Sequence, residues 1–460
     1  MSPDEFRLHG HQVVDWIADY LANPESRPVL PSVKPGDVTR ALPKSPPEHG
    51  EPMARILQDF ETTIVPGLTL WNHPGFLAYF AISATGPGIL AEMLTAALNV
   101  NVMLWKSSPA GTELEQVTLG WLREWLGLPA EFFGIIYDTA SSSTMHAIAA
   151  AREMAAPEVR LEGGSTNLVL YTSEHAHSSV EKAAIAIGVG QRNVRKIATD
   201  AEFRMRPDAL LSAIEQDLAG GLRPFCVVPT VGTTSITSID PVREIAAVAE
   251  RFGLWVHIDA AYGGTAAILP ECRYLLDAAE QAHSIVVNPH KWMGTPIDLS
   301  VLYTRRPDIL RRAFSMTPEY LRTSEDPQAL NFMDYSVQLG RRFRGLKLWF
   351  VMREYGREGI SEKIRGHIAR ARELATDLEA DPRFEICAPV TLSLVCFRLH
   401  GGDEANRTLM ERVNATGKFF LSHTVLHGRF VLRAAVGNYA TERRHILELA
   451  AILRELAPRE

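Results

Sequence analysis

Residues 284–294, SIVVNPHKWMG, deliver a single lysine at the end of an apolar run. Ser284 to Val287 read as a buried strand because three β-branched residues stand in a row, and Asn288-Pro289 then stops the ladder. Lys291 therefore falls at a strand's carboxyl end, the edge where open α/β sheets bind ligands. An ammonium held against apolar surroundings loses solvation, its pKa falls, and the free amine becomes a nucleophile suited to a Schiff base. A lone lysine is more commonly a solvated surface residue, so its companions matter.

Several polar residues fall at the ends of other predicted strands: Thr139 to Ser141, His175, His177, Thr233, Thr234 and Asp259. In a parallel sheet all these ends share one edge and can converge on one crevice. Asp259 lies 32 residues before Lys291, about one βαβ unit, which puts the two on neighbouring or near-neighbouring strands. Taken alone, Asp259 could equally cap a helix or form a buried salt bridge. Ser178 or Ser179 could simply cap the helix that His177 begins. The Thr139-Ala140-Ser141 turn opens a helix, whose free N–H groups and positive dipole suit a phosphate. An amine nucleophile, a buried carboxylate, a ring able to stack and a phosphate cradle together describe a pyridoxal phosphate site.

The elements that must position these groups alternate along the centre of the chain. FFGIIYD, NLVLYTS, VRKIAT, FCVVPTVG, LWVHIDAAY and the lysine strand are separated by helical patterns at about 141–154, through Ile187, at 207–218, from Asp240-Pro241, an N-cap and N1 pair, to Gly253, and at 270–282. Such alternation predicts an α/β fold, a mostly parallel sheet covered by helices on both faces. Upstream, Thr112 with Glu115 has capping-box spacing for a helix running to Gly127. An amphipathic helix covers Phe6 to Leu21, and eight prolines between Pro24 and Pro52 mark an extended segment, either a loose linker or an arm laid over a partner. From about Gly356 a second pattern of helices and strands predicts a smaller α+β unit. The expected organisation is an N-terminal helix and arm over 1–70, a large α/β domain over 71–360 and a small domain over 361–460.

The 460 residues carry a net charge of −7 and no block of five like charges, which argues against nucleic acid and anionic membranes and for a small-molecule partner. Cys226, Cys272, Cys387 and Cys396 have no CxxC or Cys/His ligand spacing, so neither disulfides nor a metal are expected, and a cytoplasmic setting fits. No apolar run approaches membrane-spanning length, and the N-terminus has no signal-peptide pattern.

The segments AHSSVEKA, VGTTSI, HIDAAYGG, NPHKW and GRRFRGLKLWFVMREYG, with SSPAGTELE, DPRFEIC and LVCFRL, resemble those of the pyridoxal-phosphate-dependent aromatic-L-amino-acid decarboxylases of fold type I. The similarity runs from about His73 to the C-terminus. It implies Lys291 as the Schiff-base lysine, Asp259 as partner of the pyridine nitrogen and His177 stacked on the ring. It further implies that Ala140, Ser141 and Asn288 hold the phosphate, that Thr234 approaches the cofactor and that His290 lies beside the lysine. Tyr320, in TPEYLRTSEDP, stands where the family's loop tyrosine protonates Cα; relatives with phenylalanine there tend to aldehyde formation. The family is homodimeric with interfacial sites, which favours the wrapping arm. Trp71, Tyr79 and Phe80 match its pocket aromatics. Ile82 stands where catechol-active relatives can carry a hydroxyl residue, Asn101 and Met103 replace bulkier groups, and Gly345 accompanies indole preference. The implied reaction is decarboxylation of an aromatic L-amino acid, tryptophan or phenylalanine before tyrosine or dopa. The alternatives are an aromatic aldehyde synthase and a decarboxylase of a non-aromatic amino acid.

Overall fold

A computed structural model of the chain describes residues 1–164, 167–316, 321 and 328–458. Seven strands, β1 (Phe133–Tyr137), β2 (Leu168–Ser173), β3 (Val194–Ile197), β4 (Arg223–Val228), β5 (Trp255–Asp259), β6 (Ser284–Val287) and β7 (Ser300–Thr304), form one sheet in the order β1-β7-β6-β5-β4-β2-β3. From β3 to β6 all neighbours are parallel, while β7 runs antiparallel between β1 and β6. The sheet is therefore mostly parallel. β5 and β6 are direct neighbours, so Asp259 and Lys291 leave adjacent strands at the same edge.

Both faces are covered, which is why the strands read as continuous apolar runs. The helix Ala140–Ala155 lays Ala147, Ile148, Ala150 and Ala151 against Ile135, Leu170, Val228, Trp255 and Leu302. On the other face Leu119, Leu122 and Leu126 of the helix Pro109–Leu126 join Val169, Val227, Val256, Ile258 and Ile285 in a second cluster. A third cluster lies under an antiparallel sheet, order β10-β11-β9-β8, built from β8 (Phe384–Ile386), β9 (Leu394–Leu399), β10 (Ser422–Leu426) and β11 (Arg429–Ala435). The helix Gly345–Glu379 runs from the large sheet to this small one and kinks at Gly356, whose φ of 61° a side chain would oppose.

Several local expectations give way to tertiary partners. The helix at SSPAGTELE begins at Pro109 after Ser108, so Thr112 is not its cap; Glu115 is buried and ion-pairs with Arg341 at 2.7 Å. Asp240 does not cap the helix Val242–Arg251. Its carboxylate instead accepts the N–H groups of Met205 and Thr230, both at 2.7 Å, and ties the β4 edge to the loop before Pro207. Residues 270–282 form two short 3-10 segments, Pro270–Leu276 and Ala279–Gln281, in place of one α-helix. At the N-terminus the helix Pro3–Ala22 buries no residue within the single chain. No helix among the described residues is long and apolar enough to cross a membrane.

Candidate functional site

Lys291 sits in the one-turn helix Pro289–Trp292 that follows β6. Among the described residues its Nζ makes no hydrogen bond or ion pair; it lies 5.5 Å from the centroid of the Phe80 ring. That ring stacks on Tyr262 at 3.6 Å and 8°, and Tyr262 stacks on Trp292 at 4.5 Å and 7°. The amine thus lies over the first ring of a three-ring stack. Burial pushes its pKa below the usual lysine value, and the nearby Asp259 charge opposes part of that fall. Trp292 Nε1 donates to His367 Nδ1 at 2.9 Å, and His367 Nε2 donates to the Asn438 carbonyl at 3.0 Å, which fixes the floor from below.

Asp259, 5% exposed, accepts the Ala261 N–H on one oxygen at 3.1 Å. Its remaining lone pairs are available to a cationic partner. The two glycine-bearing motifs on either side of it need their glycines: a Cβ at Gly263 would meet the Val231 carbonyl at 2.5 Å, and Gly232 has a φ of 87°. Together they let VGTT and AAYGG pack closely enough to bring Thr234 to the same edge. Thr234 is exposed, and its carbonyl accepts from Arg433 at 2.6 Å.

His177 lies beyond β2, with its ring exposed in the single chain and Nδ1 accepting the Ser179 N–H at 3.2 Å. The neutral ring therefore carries its proton on Nε2. Packing around it and the Lys291 charge push its pKa down, against the pull of Asp259. The helix Ala140–Ala155 begins at the carboxyl end of β1, with Thr139 capping through Ser142 N–H at 3.5 Å and leaving the N–H groups of Ala140 and Ser141 outward. A 2.7 Å hydrogen bond between Ser143 and Ser300 clamps this first turn to β7, which separates it from the end of β6. There Leu299 N–H donates to His290 Nδ1 at 2.9 Å, so the neutral His290 donates from Nε2. The Asn288 amide lies 3.4 Å from that nitrogen. The amino nitrogen stands on that side and Oδ1 has no partner among the described residues; since two donors cannot bond, the amide turned over would accept from His290 and present its amino group to a ligand. Burial and the Lys291 charge push the His290 pKa down to about 3.

An aromatic wall stands beside this edge. Trp71 stacks on Phe76 at 4.2 Å and on Tyr79 at 5.9 Å, and Tyr79 meets Phe420 edge-on at 5.8 Å. Backbone hydrogen bonds from Phe420 to Gly75 and from Leu77 to Phe420 fasten the segment to the small sheet. Tyr79 is half exposed, and Ile82 is half-buried in the loop that Asn72 closes onto Ala84. The groups present fit a ring with a phosphate arm, a cationic ring nitrogen and an amine-reactive carbonyl: free helix N–H groups and the Asn288 amide, a carboxylate, and an unpartnered lysine.

Three expected pocket residues have their contacts with other groups. Asn101 accepts the Arg341 N–H at 2.9 Å, Met103 packs with Leu104, Leu321 and Met333, and a Cβ at Gly345 would lie 3.4 Å from Glu115. No hydrogen bond, ion pair or ring contact among the described residues joins them to Lys291. Tyr320 lies outside the described residues. Conversely, Tyr262, Trp292, His367 and Phe420 belong to the site and were not expected. The first two stand inside the motifs HIDAAYGG and NPHKW, whereas nothing local marks His367 or Phe420.

Residues 35–400 match the family model described as pyridoxal-dependent decarboxylase conserved domain. Over 99% of its length the chain is 42% identical to the aromatic-L-amino-acid decarboxylase of Rattus norvegicus, covering 98% of that protein. It is also 40% identical to the phenylacetaldehyde synthase of Arabidopsis thaliana over 99% of this chain and 96% of that one. The crystal structure of Oryza sativa TDC with PLP and tryptamine superposes with a TM-score of 0.96 at 39% identity, covering 99% of this chain and 98% of that one.

Proposed function

The chain belongs to the pyridoxal-dependent decarboxylases and is a pyridoxal-phosphate-dependent amino-acid decarboxylase; on that premise we propose that it converts an aromatic L-amino acid, tryptophan or phenylalanine before tyrosine or dopa, to the arylalkylamine and carbon dioxide. The observation that carries this reading is Lys291, unpaired on an aromatic floor beside Asp259 and the Trp71–Tyr79 wall.

Bound at this edge, pyridoxal phosphate supplies an amine-reactive aldehyde and a cationic ring that accepts the electrons of the breaking carbon–carbon bond. Lys291 is the covalent anchor, and its lowered pKa raises the share of free amine above that of a solvated lysine. Asp259 keeps the proton on the ring nitrogen. His177 offers its ring face for stacking, Thr234 lies at the opposite loop, and His290 orients Asn288. The N–H groups of Ala140 and Ser141 and the Asn288 amino group bind the phosphate. Trp71, Tyr79, Phe80 and Ile82 receive a flat apolar side chain and exclude water from it. Tyr320 returns a proton to the substrate Cα.

Asn101, Met103 and Gly345 reach a substrate only if a second copy completes the site, so the working unit is a homodimer with interfacial sites, located in the cytoplasm. Ile82 leaves a catechol hydroxyl without a partner, at a cost of about 1–3 kcal/mol when buried. Assaying tryptophan, phenylalanine, tyrosine and dopa in parallel, with carbon dioxide, amine and aldehyde all measured, tests the proposal. A strong dopa preference overturns the pocket reading. The second reading, an aromatic aldehyde synthase, draws on the 40% identity to the phenylacetaldehyde synthase. Tyr320 opposes it, and Tyr320→Phe should divert product from amine to aldehyde and ammonia, with dioxygen and water consumed and hydrogen peroxide released.

A further inference from the structure

Beneath the Asp259 edge, a set of buried polar atoms has no partner. β5 alternates, so Trp255, His257 and Asp259 face the helix Ala140–Ala155 while Val256 and Ile258 face away. Asp259 pairs with Thr230 in a parallel bridge, and His257 pairs with Ser284 on β6, so Thr230 and Ser284 share that face. Trp255 Nε1 donates to Ser284 Oγ at 2.9 Å, and the same oxygen lies 2.9 Å from His257 Nδ1. Those two are the only hydrogen-bond neighbours of Ser284 Oγ among the described residues. An indole can only donate; giving the hydroxyl proton to Nδ1 leaves no donor at this oxygen unmet, and that arrangement puts the neutral imidazole's own proton on Nε2.

That Nε2–H is fully buried and unpartnered, and so is the Thr230 hydroxyl. An unmet buried donor is costly, and a buried water characteristically makes about three hydrogen bonds to such groups. Nε2–H, the Thr230 hydroxyl and the Asp259 carboxylate are three groups of complementary sense on one face of the paired β4 and β5 ends. The other groups on this face do not compete. Cys226 on β4 is held as a thiol by burial and Ser143 is bonded to Ser300, while the Thr144 hydroxyl is a further buried neutral group without a partner among the described residues. The charges that bear on Asp259 from its ligand side are His177 and Lys291.

We propose that His257 is a positioning residue for the Asp259 carboxylate, reaching it from Nε2 through an enclosed water shared with Thr230; the inference rests on Asp259 facing the cofactor's ring nitrogen. Trp255, Ser284, His257 and Asp259 then form one hydrogen-bonded line from the sheet interior to the ligand edge. The line aims the carboxylate without touching the reactants.

His257→Asn keeps a group at the Nδ1 position and removes the Nε2 donor, whereas His257→Gln keeps a donor near Nε2. In the holoenzyme His257→Asn should lower kcat about tenfold with KM within about twofold, the size expected for one hydrogen bond to a charged group, and His257→Gln should recover most of the loss. Both should retain the visible absorbance of the bound cofactor. Equal losses in the two variants, or none in either, overturn the proposal. In wild-type protein labelled with 15N-histidine, the His257 ring should be neutral with its proton on Nε2 and slow to exchange; a proton on Nδ1 overturns the proposal even if His257→Asn does not fold. Absence of a cofactor band in the wild type would instead sink the functional reading, and the ring nitrogen measurement would still decide the His257–Ser284 arrangement.

Discussion

Lys291 and Arg341 are two enclosed cations with opposite surroundings. Arg341, 6% exposed, donates to Glu115 at 2.7 Å and to the carbonyls of Ile136 and Val102 at 2.8 and 3.2 Å, and its guanidinium lies 4.4 Å from the Phe332 centroid. Every part of that charge is answered. Lys291 has a ring face and the Asp259 charge but no hydrogen bond or ion pair among the described residues. Satisfied buried charge fixes one arrangement of the fold, whereas unsatisfied charge stores reactivity. The difference identifies the site better than burial does.

The widest split between the two cations is expected on substitution. Lys291→Ala should abolish carbon dioxide release and the visible absorbance of the Schiff base between lysine and cofactor while the protein stays folded, because an unpaired ammonium contributes nothing to stability. Persistence of the absorbance would dismiss Lys291 as the anchor. Arg341→Met should do the reverse, destabilising by about 3–5 kcal/mol because Glu115 is left buried and unpaired. Urea unfolding measures this, and adding Glu115→Gln should return part of the loss. A loss below about 1 kcal/mol for Arg341→Met would mean that Glu115 is answered by something other than Arg341.

The same contrast explains what the sequence made legible. Lys291 and Asp259 were readable because local apolar runs end where polar residues begin. The sheet edge then gathers them whatever the details of the order. Glu115 was not readable. Its spacing to Thr112 suggests a cap, and its true partner lies 226 residues away. Asp240 before Pro241 misleads in the same way, since its carboxylate serves Met205 and Thr230. β7 escaped because nothing in LSVLYT records that it inserts antiparallel between β1 and β6. Roles such as that of Tyr320 came only through family resemblance.

Asp240 is a buried charge intermediate between the two cations, answered by two N–H groups but by no cation among the described residues. Burial pushes its pKa up to about 6 against an ordinary 3.8, although both hydrogen bonds pull it down. The folded state therefore binds this proton more tightly than the unfolded chain does. The sign follows: the group's contribution favours folding below about pH 4 and is lost as pH rises to about 6, up to about 3 kcal/mol in all. Asp240→Asn cannot accept from both N–H groups, so it should be less stable at pH 4.5 yet lose less between pH 4.5 and 7. Denaturant midpoints across that range give the comparison, and parallel curves for the two proteins would remove Asp240 from the pH dependence.

The smallest expected effect bears on whether the Arg341 region is architecture alone. Gly345 begins the helix Gly345–Glu379 and packs against the backbone of Glu115, the anion that Arg341 answers. A Cβ there would lie 3.4 Å from Glu115 Cα, an ordinary contact, and serine suits a helix start, so Gly345→Ser should fold with its stability within about 0.5 kcal/mol of the parent. If the region only holds the fold, relative kcat/KM for tyrosine and tryptophan will not move. If it completes the site of a second copy, the new hydroxyl gives a phenol a partner. The ratio should then shift toward tyrosine by up to about tenfold, the worth of one hydrogen bond. An unchanged ratio in a stably folded dimer would place Gly345 outside the pocket and return it to the architecture around Arg341.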